Sequence, residues 1–121
     1  MKFSLLLMIL ASKLKKAVKK HPQFRERVKE KNFLMVVKTR DGKKVRHFNF
    51  KDGDITSQRN DPGNAGISLV WDNAQLAYAA MSSRKNDLTM KALSEGKLKI
   101  EGDASRALWF GETVKQMMKL K

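Results

Sequence analysis

The twelve residues Ala92-Leu93-Ser94-Glu95-Gly96-Lys97-Leu98-Lys99-Ile100-Glu101-Gly102-Asp103 constrain this chain more tightly than any other stretch, because they hold a helix stop, a short strand and a helix start. Gly96 stands where a helix ending at Ser94 or Glu95 needs a left-handed residue, a conformation that carries no steric penalty for glycine. Lys97 to Glu101 alternates charged with apolar side chains, the period-two signature of a half-buried strand. Gly102-Asp103 then supplies a turn and an N-cap, whose carboxylate accepts from the first free amides of the next helix. The segment is a helix-strand-helix joint, and by itself it implies no catalytic chemistry.

Upstream the chain reads as a meander. Phe33 to Thr39 is apolar on both faces, as a central strand must be. Asp41-Gly42 is a hairpin signal, and Lys44 to Phe50 follows as a second strand with Arg46, Phe48 and Phe50 on one side. Lys51-Asp52-Gly53-Asp54 makes another turn, Ile55-Thr56-Ser57 a short third strand, and Arg59 to Gly66 a polar loop. The fourth strand, Ile67 to Trp71, points Ile67, Leu69 and Trp71 one way. Asp72, with Gln75 three residues on, reads as the capping box of a helix over Asn73 to Met81. Asn86 or Asp87 caps a second over Leu88 to Ser94, and Asp103 caps the last, from Ala104 to about Lys119.

The beginning of the chain is basic and apolar at once. Met1-Lys2 leads into Phe3-Ser4-Leu5-Leu6-Leu7-Met8-Ile9-Leu10-Ala11, which has the opening of a secretory signal but is too short to span a bilayer. No clean small-x-small cleavage site follows, and five lysines, Lys13, Lys15, Lys16, Lys19 and Lys20, stand directly behind it. Leu7, Ala11, Leu14 and Val18 recur at three- and four-residue spacing, giving one basic amphipathic helix over residues 1–20 that His21-Pro22 ends. Three readings stay open for this helix: a core helix packed on the sheet with its lysines solvated, an interfacial helix with the five lysines on an anionic membrane surface, and a secretory signal. The first two are compatible if Leu7 to Val18 packs while Met1 to Leu6 protrudes. The expected location is cytoplasmic, with peripheral membrane attachment as its extension.

The order of strand, capped helix, short helix and glycine-flanked strand is carried by Ile67-Ser68-Leu69-Val70-Trp71-Asp72-Asn73-Ala74-Gln75-Leu76-Ala77-Tyr78-Ala79-Ala80-Met81 and then Gly96 to Asp103. It resembles the sterol carrier protein type two family of lipid-carrying domains. In that family a Gly-Lys-Leu-Lys-Ile-x-Gly-Asp/Asn segment forms the last strand and leads into the closing helix. The likeness covers about residues 33 to 121 and is strongest over 66–110. An apolar Met1 to Leu10 stretch is a departure from a soluble carrier. The resemblance implies an α+β domain in the order α-β-β-β-β-α-α-β-α, its largely antiparallel five-stranded sheet covered by helices with an apolar tunnel between them. The whole chain, 1–121, is read as one such domain, long enough to bury a core unaided.

Within that frame, alternation and helical spacing nominate Met35, Val37, Phe48, Phe50, Leu69, Trp71, Met81, Met90, Leu93, Phe110, Met117 and Met118 as tunnel lining. Methionine's flexible thioether suits a pocket that accepts varied shapes. On the final helix, Leu108, Gly111, Val114 and Met118 are expected to face the sheet, leaving Trp109, Phe110 and Met117 as a surplus facing lipid, protein or cavity.

Catalytic and metal functions find no support. There is no cysteine, and His21 and His47 lie in different segments with no second ligand at metal-binding spacing. No nucleophile motif or phosphate-cradling glycine loop is present. The expectation is a non-catalytic protein without cofactor that binds a sterol, fatty acyl or isoprenoid-type lipid, with a lipid-metabolising enzyme as a further partner. The formal charge of +14 exceeds the magnitude of roughly 2–8 that solubility asks of a small domain. Residues 1–31 carry ten Lys and Arg against two Glu. Such a field suits a phospholipid surface or a nucleic-acid backbone. A nucleic-acid-binding module is therefore the alternative, with Arg46, Phe48 and Phe50 beside Lys38 and Arg40 as its nearest approach to a basic aromatic platform.

Overall fold

The computed structural model describes residues 2–83 and 87–120, which form five helices and five strands. The first helix, α1 (Lys2–Lys20), buries Phe3, Leu7, Ala11, Leu14 and Val18 along one stripe. Phe3 is 1% exposed, so the packed stripe starts earlier than Leu7 and the opening turn is docked rather than protruding. Pro22 ends α1 as expected but also starts α2 (Pro22–Lys29), a helix the sequence reading does not foresee. Proline is at home in a first turn, where an amide proton would have no acceptor, and Phe24 and Val28, one turn apart, are both buried.

The sheet takes β1 (Phe33–Thr39), β2 (Val45–Lys51), β3 (Asp54–Gln58), β4 (Ile67–Trp71) and β5 (Leu98–Gly102) in the order β3-β2-β1-β4-β5. All neighbours are antiparallel except the parallel pair β1–β4. Apolar β1 is thus the central strand, and β5 pairs with β4. The pairing Met35 with Phe48 and Ile67, and Val37 with Arg46 and Leu69, puts these side chains on one face. That face is buried under the helices: Met35, Val37, Phe48, Phe50 and Ile67 are inaccessible to solvent.

The opposite face carries Lys38, His47, Ser68 and Lys99, and among the described residues no helix lies against it. Because β3 and β4 lie on opposite sides of β1 and β2, their connection must cross the sheet, and it does so here. Lys38 Nζ donates to Asp61 Oδ2 at 3.1 Å, and His47 Nδ1 meets the Asn60 carbonyl at 3.3 Å, which requires the proton on Nδ1. Val36 and Val70 are buried on this face between its polar side chains.

Three more helices complete the chain: α3 (Ala74–Ser82), α4 (Asp87–Ser94) and α5 (Ala104–Met118). The cap of α3 is Asn73, whose Oδ1 accepts from the Leu76 amide at 2.8 Å, in place of the expected Asp72. Asp72 is drawn instead toward β5 and Arg40: its amide donates to the Lys97 carbonyl, and its carboxylate lies 3.2 Å from the Arg40 guanidinium. Asp87 stands inside the first turn of α4, and Asn86 lies outside the described residues. The joint at 92–103 forms as read, with Gly96 at φ +73° and Asp103 capping α5. Gly102, at φ +107°, could not carry a side chain, because a Cβ there would collide with the Gly66 carbonyl oxygen.

Candidate functional site

Helix α5 lies over β4 and β5 and touches α1 and α2. Its buried residues are Phe110, Thr113 and Met117, whereas Leu108 is 74% exposed and Met118 55%. The sheet-facing stripe is therefore turned away from the expected Leu108-Gly111-Val114-Met118 line, of which only Val114 is packed against the core. The reason is chemical as well as steric. The Thr113 hydroxyl donates to the Trp109 carbonyl one turn back at 2.7 Å and accepts from Arg27 Nε at 2.9 Å, so a polar residue sits fully buried in the middle of the packed face.

Turned this way, α5 drives Trp109 and Phe110 into the aromatic residues of β1 and β2. Phe48 meets Phe110 at 5.6 Å between ring centroids, Phe110 meets Phe50 at 6.1 Å, Phe50 meets Trp109 at 5.5 Å, and Trp109 meets Phe33 at 5.5 Å. The contacts are edge-on or tilted, the arrangement aromatic quadrupoles favour. These five rings stand in one row between α5 and the strands.

The row ends at a cleft of about 410 Å³ between the α2–β1 connection and the start of α5, lined by Glu30, Lys31, Asn32, Phe33, Asp103, Ser105, Arg106 and Trp109. Two guanidinium groups flank it on aromatic faces, Arg106 over Phe33 and Arg27 over Trp109, each 5.5 Å from the ring centre. The indole N–H of Trp109 is buried without a hydrogen-bond partner. Asp103 accepts from the hydroxyl and the amide of Ser105, which hold its carboxyl below the usual carboxylate range. A second, smaller cleft of about 280 Å³ lies between the end of α1, α2 and Asp54.

Of the twelve nominated lining residues, Met35, Val37, Phe48, Phe50, Leu69, Trp71, Phe110 and Met117 are buried together in one core. Met81 and Leu93 pack against its margin. Met90 is 61% exposed and, like Met118, stands apart from the others, because each lies on the outward side of its helix. Phe33, Trp109, Arg27 and Arg106 were not nominated. The signal for the first two was present, since Phe33 opens the central strand and Trp109 belongs to the aromatic surplus, but neither arginine announces its ring partner in sequence.

The five lysines are all exposed on α1, and among the described residues none makes an ion pair. Ahead of them on the same outward side stand Leu5, Met8 and Ile9, 52%, 49% and 41% exposed. No helix of the described residues is long and apolar enough to cross a membrane. Phe48 and Phe50 face the helices, so the basic aromatic platform needed by a nucleic-acid reading is not available to a base.

This α+β fold has known counterparts. The family model described as the SCP-2 sterol transfer family matches residues 11–115. The chain belongs to that family. Domains of the SCP-2 family are in general non-catalytic and bind or transfer lipid. Among solved structures, a "UbiJ-SCP2 Ubiquinone synthesis protein" superposes with a TM-score of 0.66 at 14% identity, covering 94% of this chain and 92% of that one. The apo sterol carrier protein 2 of Yarrowia lipolytica gives 0.60 at 21% identity, covering 93% and 91%. Sterol carrier protein domain 2 of Helicoverpa armigera gives 0.64 at 17% identity, covering 94% and 89%. No curated protein matches the chain by sequence.

Proposed function

We propose that this domain is a non-catalytic carrier that takes one lipid into the space now filled by the Phe33-Trp109-Phe50-Phe110-Phe48 row, with α5 as the moving part and the cleft at Phe33 and Trp109 as the portal. The observation that carries the reading is that the interior rings end at an open cleft rather than under a sealed surface. Few polar ties hold α5 down. Its core-facing bond to Arg27 and its Asp103 cap are the principal ones, so the helix can lift without breaking the sheet.

The energetics favour exchange rather than storage. Burial contributes about 0.8 kcal/mol per methylene, so a long acyl chain gains on the order of 10 kcal/mol against water, and nearly nothing against a bilayer. Affinity relative to a membrane is then modest, and the outward side of α1 keeps the protein where exchange occurs: Leu5, Met8 and Ile9 enter the interface while the five lysines meet anionic headgroups. The likeness to a ubiquinone synthesis protein supports a second form of the same reading, in which the bound lipid is an isoprenoid presented to a lipid-metabolising enzyme.

Organic extraction of purified protein followed by mass spectrometry tests this directly, and a co-purifying lipid is expected. Phe110→Glu places a charge in the ring row and is expected to abolish uptake of a fluorescent fatty acid. Lipid-free protein that takes up no probe, yet shifts an oligonucleotide at physiological salt, would overturn the proposal in favour of nucleic-acid binding.

A further inference from the structure

Arg46 is an anomaly in an otherwise apolar layer. It lies on the helix-covered face of β2, paired with Val37 and two residues from fully buried Phe48. Its Nη1 donates to the Ser57 hydroxyl at 3.0 Å, and that hydroxyl in turn donates a hydrogen bond to the His47 carbonyl at 2.6 Å. The Nε–H is buried without any partner. Among the described residues no carboxylate lies within ion-pairing distance of the guanidinium. Burial, and after it the nearby positive charge of Arg59, pushes the Arg46 guanidinium pKa down.

A second buried donor stands at the same end of the same face. Trp71 is 1% exposed, and its indole N–H has no partner. Trp71 is paired with Thr39, the next inward-facing residue of β1 after Val37, so Arg46 and Trp71 flank β1 from either side. This end of the sheet lies away from Asp54 and the end of α1, toward the start of α1 where Leu5, Met8 and Ile9 are exposed. Native interiors leave few such donors unmet, and each costs stability when it is. Arg46 is half-buried, with only its Nε–H cut off from any partner, and Trp71 is fully buried. Two such donors on one face, one of them on a guanidinium with no carboxylate beside it, describe half of a hydrogen-bonding site whose other half is an acceptor with negative charge.

We infer that Arg46, with Arg59 beside it and the Trp71 indole as a second donor, anchors the carboxylate of a single-chain lipid whose tail runs along Phe48 and Phe50 toward the portal. The inference rests on the lipid-binding reading and narrows it, because a neutral sterol or alcohol offers no anion to this end of the interior. Ser57 keeps the guanidinium plane in place, and the fork of Arg46 is free to take both oxygens.

The test is the ratio of affinities for hexadecanoate and hexadecan-1-ol, equal in chain length and different in head, read by displacement of a neutral fluorescent lipid. The wild type is expected to prefer the acid by about tenfold or more, the range for a charge-assisted hydrogen bond. Arg46→Met should bring the ratio to about one without lowering the thermal midpoint, since the bond lost to Ser57 is offset by removal of a buried Nε–H that has no partner. Arg59→Gln, at an exposed loop position where folding is not at risk, should lower the ratio by a smaller factor. A wild-type ratio near one, or a ratio that survives Arg46→Met, overturns the anchor while leaving lipid binding intact. Binding of neither amphiphile overturns both readings. Inorganic phosphate alone separates a free anion from a lipid-borne one: calorimetric binding of phosphate that Arg46→Met removes, without acid preference, makes this a free-anion site and overturns the carboxylate anchor.

Discussion

Arg27→Met addresses the mechanism of α5 most directly. Arg27 gives α5 a charged hydrogen bond at Thr113 and a cation over the Trp109 ring at 5.5 Å. Roughly 1.5 kcal/mol for the bond and about 0.5 kcal/mol for the ring contact make about 2 kcal/mol. Thr113 is not stranded by the change, because its hydroxyl proton already goes to the Trp109 carbonyl, so no unmet donor inflates the figure. If both contacts break when α5 lifts, the lifted form becomes about thirtyfold more populated. Uptake of a fluorescent fatty acid, followed by stopped flow, should accelerate by a comparable factor. The thermal midpoint should drop by about 8 °C, at about 4 °C per kcal/mol for a chain of this length. Destabilisation alone must not produce the same acceleration, and Val36→Ala is the control. That side chain is fully buried on the opposite face, and its loss costs about 2 kcal/mol by the same kind of arithmetic. Acceleration in Arg27→Met and not in Val36→Ala supports α5 as the moving part. Equal rates in both variants and the wild type would refute it.

Two further outcomes are expected. Met8→Glu should abolish sedimentation with vesicles containing anionic lipid while leaving the unfolding midpoint unchanged, because Met8 is exposed; wild-type binding should fade as salt is raised, and equal binding to neutral vesicles would remove the lysines from the account. Asp61 accepts from the Gly63 amide and from Lys38, which hold its carboxyl below the ordinary value of 3.8, so its contribution is fully present above that value and is lost as pH falls through the lowered one. Urea unfolding of Asp61→Asn should show a smaller drop in stability below about pH 4 than the wild type, and identical acid profiles would show that the strap contributes nothing.

Local chemistry made much of this fold legible. A left-handed glycine at 96, a capping carboxylate at 103 and the alternation in Ile67 to Trp71 each act within a few residues, so sequence alone places them. What escaped was set by distance. The parallel pairing of β1 with β4 has no signature in either strand, since it depends on a connection that crosses two others. Helix α2 is short and polar, and only two buried side chains mark it. The register of α5 was misjudged because a threonine occupies the core and a leucine the surface, a reversal that makes sense only once Arg27 is seen to satisfy Thr113. Eight of the twelve nominated lining residues are buried because strand alternation and the aromatic surplus carried real information about one face. Met90 and Met118 lie outside that face because hydrophobicity on a helix does not say which way the helix is turned.

The one-sided layering of helices on strands has a consequence for communication. A hydrogen-bonded ladder cannot swell without breaking, whereas helices resting on it can slide, so accommodation of cargo is confined to the helical layer. On the carrier reading, a protein seated on the strap-crossed face of the strands would be blind to whether lipid is bound. One touching α1 or α5 would feel the difference.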